Sequence, residues 1–75
     1  MLKIQDTKHV EWIDDGETSL NVYVLIADTT ADIPSDPYCF STEKDKYKIS
    51  MGSVIWVIAD GDLYMINSSD TWVKQ

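Results

Sequence analysis

Two side chains in this 75-residue chain carry ready nucleophile or acid–base chemistry, and each type occurs once: His9 and Cys39. A Cys–His pair works only when the two meet in space and a third group orients the base. Nothing in the sequence supplies that third group. His9 sits in a polar stretch, Lys3 to His9, and reads as an exposed titrating residue. There is no zinc ligand set, no glycine-rich phosphate loop and no nucleophile elbow. Asp28, Asp32 and Asp36 offer carboxylates, but their spacing of four differs from the every-second-residue pattern of a Ca²⁺ loop. Pro34 and Pro37 interrupt the same segment, so these acids read as turn and cap residues. Asp60 and Asp62 flank a hairpin tip and read as structural. The expectation is a protein that is not an enzyme, with no catalytic residues, no cofactor and no metal.

Charge narrows the partners. Thirteen acids against six lysines, with no arginine, give a formal net charge of −7. Binding nucleic acid through a basic face requires clustered Lys/Arg to neutralise phosphates, so no nucleic-acid partner is expected. The one basic cluster, Lys44, Lys46 and Lys48, alternates with Asp45 and Tyr47 and reads as a solvated strand edge. Acidity disfavours anionic lipid. No segment approaches the ~20 apolar residues of a membrane span, and the first ten residues lack a signal-peptide core. A soluble chain made in the cytoplasm, with no membrane partner, is the expectation. A single cysteine cannot form an internal disulfide.

The elements that must position any functional residue are strands. Val10 to Ile13 is a short β-rich piece, and Asp14-Asp15-Gly16 is a turn. Placing Asp15-Gly16 at its centre would oppose Asp14 and Glu17, which favours a longer loop or another register. In Leu20 to Ala27, Leu20, Val22, Val24 and Ile26 share one face, and Asn21, Tyr23, Leu25 and Ala27 the other. Residues 28–48 form a long connection with a helical turn expected around Thr30 to Ile33. Lys46 to Ser50 reads as a short edge strand. Val54 to Ala59 is six apolar residues in succession, and Asp60-Gly61 predicts a two-residue type I′ hairpin turn. That register opposes Ile58 to Leu63, Val57 to Tyr64, Trp56 to Met65 and Ile55 to Ile66. One face then holds Val54, Trp56, Ile58, Leu63 and Met65; the other holds Ile55, Val57, Tyr64 and Ile66. Thr71 to Gln75 returns as a third antiparallel strand.

The fold class read from these elements is mainly β. It is a small antiparallel meander or partly open barrel of about four to five strands, in one domain over residues 1–75, with a long loop at about 28–48. A chain this short buries only about 60–65% of its unfolded surface. Two strands apolar on both faces therefore call for a second cover, supplied by the loop or by another molecule, and oligomerisation through an apolar sheet face or a strand edge is the expectation. Trp56, Tyr64, Met65, Trp72, Tyr38 and Phe40 are the candidate interface residues. Exposed aromatics, with Trp12 added, would instead suit a monomeric carbohydrate- or peptide-binding module.

The run Asp32-Ile33-Pro34, then Gly52-Ser53, Asp60-Gly61, Tyr64-Met65, Asn67 and Trp72, resembles small structural proteins from the virion modules of tailed bacteriophages and prophages. The resemblance spans about Val24 to Gln75. It implies a head- or tail-associated, fibre-like assembly module in the virion, present in the host cytoplasm during assembly. It further implies self-association or contact with other virion proteins, and no catalytic residues. The chain departs from the pattern between Pro34 and Gly52. The loop is longer here, and Tyr38, Cys39 and Phe40 either reach out as a contact arm or tuck back over the sheet. Tucking is favoured, because an exposed apolar patch invites aggregation.

Overall fold

The computed structural model describes residues 1–43 and 45–75; Lys44, the first of the three clustered lysines, lies outside them. Six strands among the described residues make one open, mainly β sheet: β1 (Leu2–Ile13), β2 (Thr18–Ala27), β3 (Tyr47–Ile49), β4 (Val54–Val57), β5 (Asp62–Ile66) and β6 (Trp72–Lys74). The order is β1-β2-β4-β5-β6, with β3 pairing β2 as well. The sheet does not close.

β2 organises the molecule. Its alternating apolar pattern suits a central strand, and it has partners on both edges. On one side β1 runs antiparallel to it, from Leu2 opposite Ala27 to Ile13 opposite Thr18. This hairpin is far longer than the short piece expected at Val10 to Ile13. β1 is polar because it is an edge strand exposed along most of its length. Its stability comes from the backbone ladder rather than from burial, so composition conceals it. The turn at Asp14–Gly16 is the longer loop that the charges called for. Asp14, Asp15 and Gly16 all have positive φ, and the Glu17 amide closes the loop onto the Asp14 carbonyl at 3.2 Å.

On its other edge β2 is paired in parallel by two strands end to end. Ser19 to Asn21 align with Tyr47 to Ile49, and Val24 to Ala27 with Val54 to Val57. The offset changes from 28 (47 − 19) to 30 (54 − 24), so two extra residues bulge out between β3 and β4. Gly52, at φ +94°, makes that excursion. Parallel pairing was not legible from alternation, which is the same for either direction.

The β4–β5 hairpin keeps its expected faces but not its expected register. Trp56 opposes Leu63 and Val54 opposes Met65, two residues away from the type I′ alignment. A shift of two leaves every side chain on the same face. The cause is tertiary. The Ile58 and Ala59 amides donate to the Ala27 and Asp28 carbonyls at 2.8 and 3.0 Å, extending the parallel ladder instead of crossing to β5. A four-residue loop results, with only Gly61 of these in positive φ (+68°). β6 pairs β5 antiparallel, as the closing strand was expected to.

The core lies on one face only. Tyr23, Leu25, Ala27, Ile49, Ile55 and Ile66 form it. The connection at residues 28–43 folds back over this face. Ile33 and Phe40 pack on the core, and the Phe40 and Tyr23 rings meet at 4.6 Å. The Trp72 indole Nε1 donates to the Pro34 carbonyl at 2.9 Å, and the Ile49 amide donates to the Pro37 carbonyl at 2.8 Å. A single turn at Thr30–Asp32 starts the connection, where the sequence placed one.

Candidate assembly face

The face opposite the core is open. Val24 and Ile26 of β2, Val54 and Trp56 of β4, Leu63 and Met65 of β5 and Val73 of β6 share it by register. Trp56 is 53% exposed and Ile58, just beyond β4, 59%. Val24, Ile26, Val54, Trp56, Ile58 and Leu63, with Gln5, line a shallow depression of about 360 Å³. Its centre is apolar. Scattered exposed apolar residues are ordinary on a soluble protein, but a contiguous patch marks a contact surface.

The electrostatics of this face differ from those of the molecule. Along β1 it carries Lys3, Asp6, Lys8 and Glu11, whose partners on β2 are Ile26, Val24, Val22 and Leu20. These four charges cancel. Lys48, opposite Leu20 from the β3 side, pairs with Asp70 at 3.5 Å. The other acids lie in turns and in the crossover loop, or, like Asp62, face a lysine; Lys74 stands 3.3 Å from Asp62. The net charge of −7 therefore does not fall on the apolar face.

The six residues named from the sequence divide. Trp56 and Met65 lie together on the open face. Tyr64 and Trp72 point to the other face and pack against the core. Phe40 lies over Tyr23, and Tyr38 sits half-buried in the loop with the Lys48 ammonium 5.9 Å from its ring centroid. Ile58, Val24, Leu63 and Val73 complete the open patch and were not on that list. Their parity with Trp56 was the available signal; choosing by aromaticity passed over them. The three tryptophans do not converge: Trp12 lies opposite Ser19, on the core-face side of the sheet, and Trp72 is tied to Pro34.

His9 and Cys39 each have local partners. The His9 Nδ1 lies 2.6 Å from the Ser19 Oγ, and its ring stacks at a tilt on Trp12, 4.9 Å between centroids. Ser19 Oγ donates to the Asn21 Oδ1 at 2.8 Å, and the Asn21 Nδ2 to the Tyr23 hydroxyl at 3.2 Å. This row is a polar stitch along alternate residues of β2. A Ser–His contact suggests nucleophilic catalysis only if a substrate can reach the hydroxyl, and Ser19 is 3% exposed. Cys39 reaches the surface, yet desolvation on its inner side, with Asp36 second, pushes its thiol above the ordinary range. The thiolate is the reactive form. At pH 7.5 Cys39 is therefore expected to react with a thiol reagent more slowly than free cysteine does. A rate equal to or above that of free cysteine would refute this.

Among the described residues, no helix is long and apolar enough to cross a membrane. Compared with models of protein families, with curated proteins and with solved structures, the chain matches none.

Proposed function

We propose that this chain is a non-enzymatic structural or assembly protein of a tailed-phage or prophage virion, and that it self-associates through the open face. The observation that carries the self-association is the contiguous patch of Val24, Trp56, Ile58, Leu63, Met65 and Val73 on a face whose charges cancel. A second copy suits it better than a charged partner does, because like molecules of net charge −7 repel unless they meet where that charge is absent. The virion assignment is supported by the order Asp32-Ile33-Pro34, Gly52-Ser53, Asp60-Gly61, Tyr64-Met65, Asn67 and Trp72 alone. Other virion proteins are the remaining partners in this reading, and its location is the virion, with the host cytoplasm during assembly.

A standard interface takes about 800 Å² from each partner, about a sixth of the 4856 Å² that the chain exposes. Buried tryptophan is a common anchor of such contacts, worth about 2 kcal/mol or more, roughly a thirtyfold change in dissociation constant. Native mass spectrometry at micromolar concentration tests the reading. The wild type is expected as a multimer, and Trp56→Glu as a folded protein shifted strongly toward smaller species by loss of the open-face contact. A strictly monomeric wild type would sink the self-association.

A further inference from the structure

The outer edge of β1 carries a different kind of surface. Among the described residues no strand pairs with it. Twelve residues at about 3.3 Å each span roughly 40 Å, the full 39 Å length of the molecule. Exposed edges are usually blunted with charge or bulges. β1 has both, but its charges alternate in sign: Lys3, Asp6, Lys8, Glu11.

That order is self-complementary under a two-fold rotation. With the axis at Thr7, Lys3 falls opposite Glu11 of the second copy and Asp6 opposite its Lys8. Leu2 then meets Trp12, Ile4 meets Val10, and Thr7 meets Thr7. Only Gln5 with His9 pairs without evident complementarity. A blunted edge needs charges that repel their own kind; these attract.

The faces agree with this register. Leu2, Thr7 and Trp12 lie opposite Ala27, Tyr23 and Ser19, on the core side of the sheet. Lys3, Asp6, Lys8 and Glu11 lie opposite Ile26, Val24, Val22 and Leu20, on the open side. β1 contains two register shifts, one between Ile4 and Asp6 and one between His9 and Glu11. One falls on each arm, at Gln5 and at Val10, two and three residues from Thr7, so the arms differ in phase only there, and the charged pairs Asp6–Lys8 and Lys3–Glu11 stay on one face.

The backbone agrees as well. The Tyr23 amide donates to the Ser53 Oγ, away from β1, and Thr7 is the partner of Tyr23. Thr7 and Tyr23 are thus a non-hydrogen-bonded pair, and the Thr7 amide and carbonyl point outward. The Thr7 amide donates to its neighbour's Asp6 Oδ1 at 2.8 Å, a side-chain substitute for a strand.

We propose that β1 pairs antiparallel with β1 of a second copy about a two-fold axis at Thr7, joining two sheets into one. Thr7 and its symmetry mate exchange both backbone hydrogen bonds, and Asp6 turns to Lys8 of the second copy. Such a contact is isologous, as a two-fold requires. It uses an edge, so it is independent of the open apolar face, which stays available.

Single-cysteine cross-linking in a Cys39→Ser background tests the register. A hydrogen-bonded antiparallel pair has Cα atoms about 5.5 Å apart, within disulfide range. Thr7→Cys should give a covalent dimer on mild oxidation. Asp6→Cys or Lys8→Cys alone should not, because each is offset from its own mate by two residues, about 6.6 Å along the strand, which exceeds bridging distance once the strand spacing is added. An equimolar mixture of those two variants should cross-link. Adding Lys3→Glu and Lys8→Glu to the Thr7→Cys protein should abolish its dimer. Mixing that protein with one carrying Asp6→Lys, Glu11→Lys and Thr7→Cys should restore it. Absence of the Thr7→Cys dimer, or equal yields at positions 6, 7 and 8, would overturn the edge pairing. Trp56→Glu distinguishes the two contacts. If it dissociates the wild-type multimer while Thr7→Cys fails to cross-link, the open-face reading stands and the edge pairing falls; the reverse pattern removes the open-face reading and keeps the edge.

Discussion

Leu25→Ala is expected to lower the stability of the fold by about 3 kcal/mol, measured by urea denaturation at a concentration where association is held constant. Leu25 is 0% exposed. It lies opposite Ile4 on β1 and Ile55 on β4, at the middle of the core, and Ile33 and Phe40 of the crossover loop pack against the same cluster. Buried Leu→Ala changes cost about 2–5 kcal/mol, the larger values arising where neighbours cannot close the gap. Strands held by ladders on both sides have little freedom to close it. A domain of this size holds only about 4–11 kcal/mol in total, so the loss is a large share. The neighbouring Val24 provides the control. It points to the open face, and Val24→Ala should cost under about 1 kcal/mol of folding stability while weakening self-association. A Leu25→Ala loss no greater than that of Val24→Ala would contradict the assignment of faces.

Ser53→Ala is expected to cost about 1–3 kcal/mol, although it removes a single oxygen atom. The ladder from β2 to β3 ends at Asn21 and the ladder to β4 begins at Val24. Tyr23 falls where the neighbouring chain bulges away, and its amide has no backbone carbonyl to meet. The Ser53 Oγ accepts that amide at 2.9 Å and donates to the Ser50 carbonyl at 2.8 Å. The Ser53 side chain is wholly buried, so water cannot replace it. Leaving a buried donor unpaired costs its desolvation energy, about 1–3 kcal/mol. Hydrogen exchange locates the effect: the Tyr23 amide should lose protection beyond the global change, while the amides of β5 should not. Uniform loss across the sheet would contradict this account.

Much of this arrangement was legible in the sequence, for reasons particular residues make clear. The faces of β2 and of the β4–β5 hairpin followed from alternation, because side-chain parity survives an even shift in register. The register itself did not, because Asp60-Gly61 signals a turn locally, whereas the Ile58 and Ala59 amides are claimed by carbonyls some thirty residues earlier. β1 was mostly invisible because Lys3, Gln5, Asp6 and Lys8 give an edge strand no apolar pattern to detect. The tucked loop was suggested by Tyr38, Cys39 and Phe40, apolar residues in polar surroundings, whereas the packing of Ile33 on the core was not. The open patch was half legible: parity sets Val54, Trp56, Ile58, Leu63 and Met65 on one face, but aromatic character does not separate that face from the core, which Tyr64 and Trp72 serve.

The seam where β2 meets β4 has a consequence for the order of events during folding. On either side of it the chain is local. β1 and β2 close through a short turn at Asp14–Gly16, with Ile13 and Thr18 paired five residues apart, and β4, β5 and β6 close through short turns of their own. The seam joins residues 30 apart (54 − 24), and it forms only once the whole connection between them has given up its freedom. Loop-closure entropy is thus concentrated at one line of hydrogen bonds. Hairpin and meander are expected to form before they dock, and opening to begin along that line: in hydrogen exchange the Ile58 and Ala59 amides, bonded across the seam, should lose protection before amides within β1–β2.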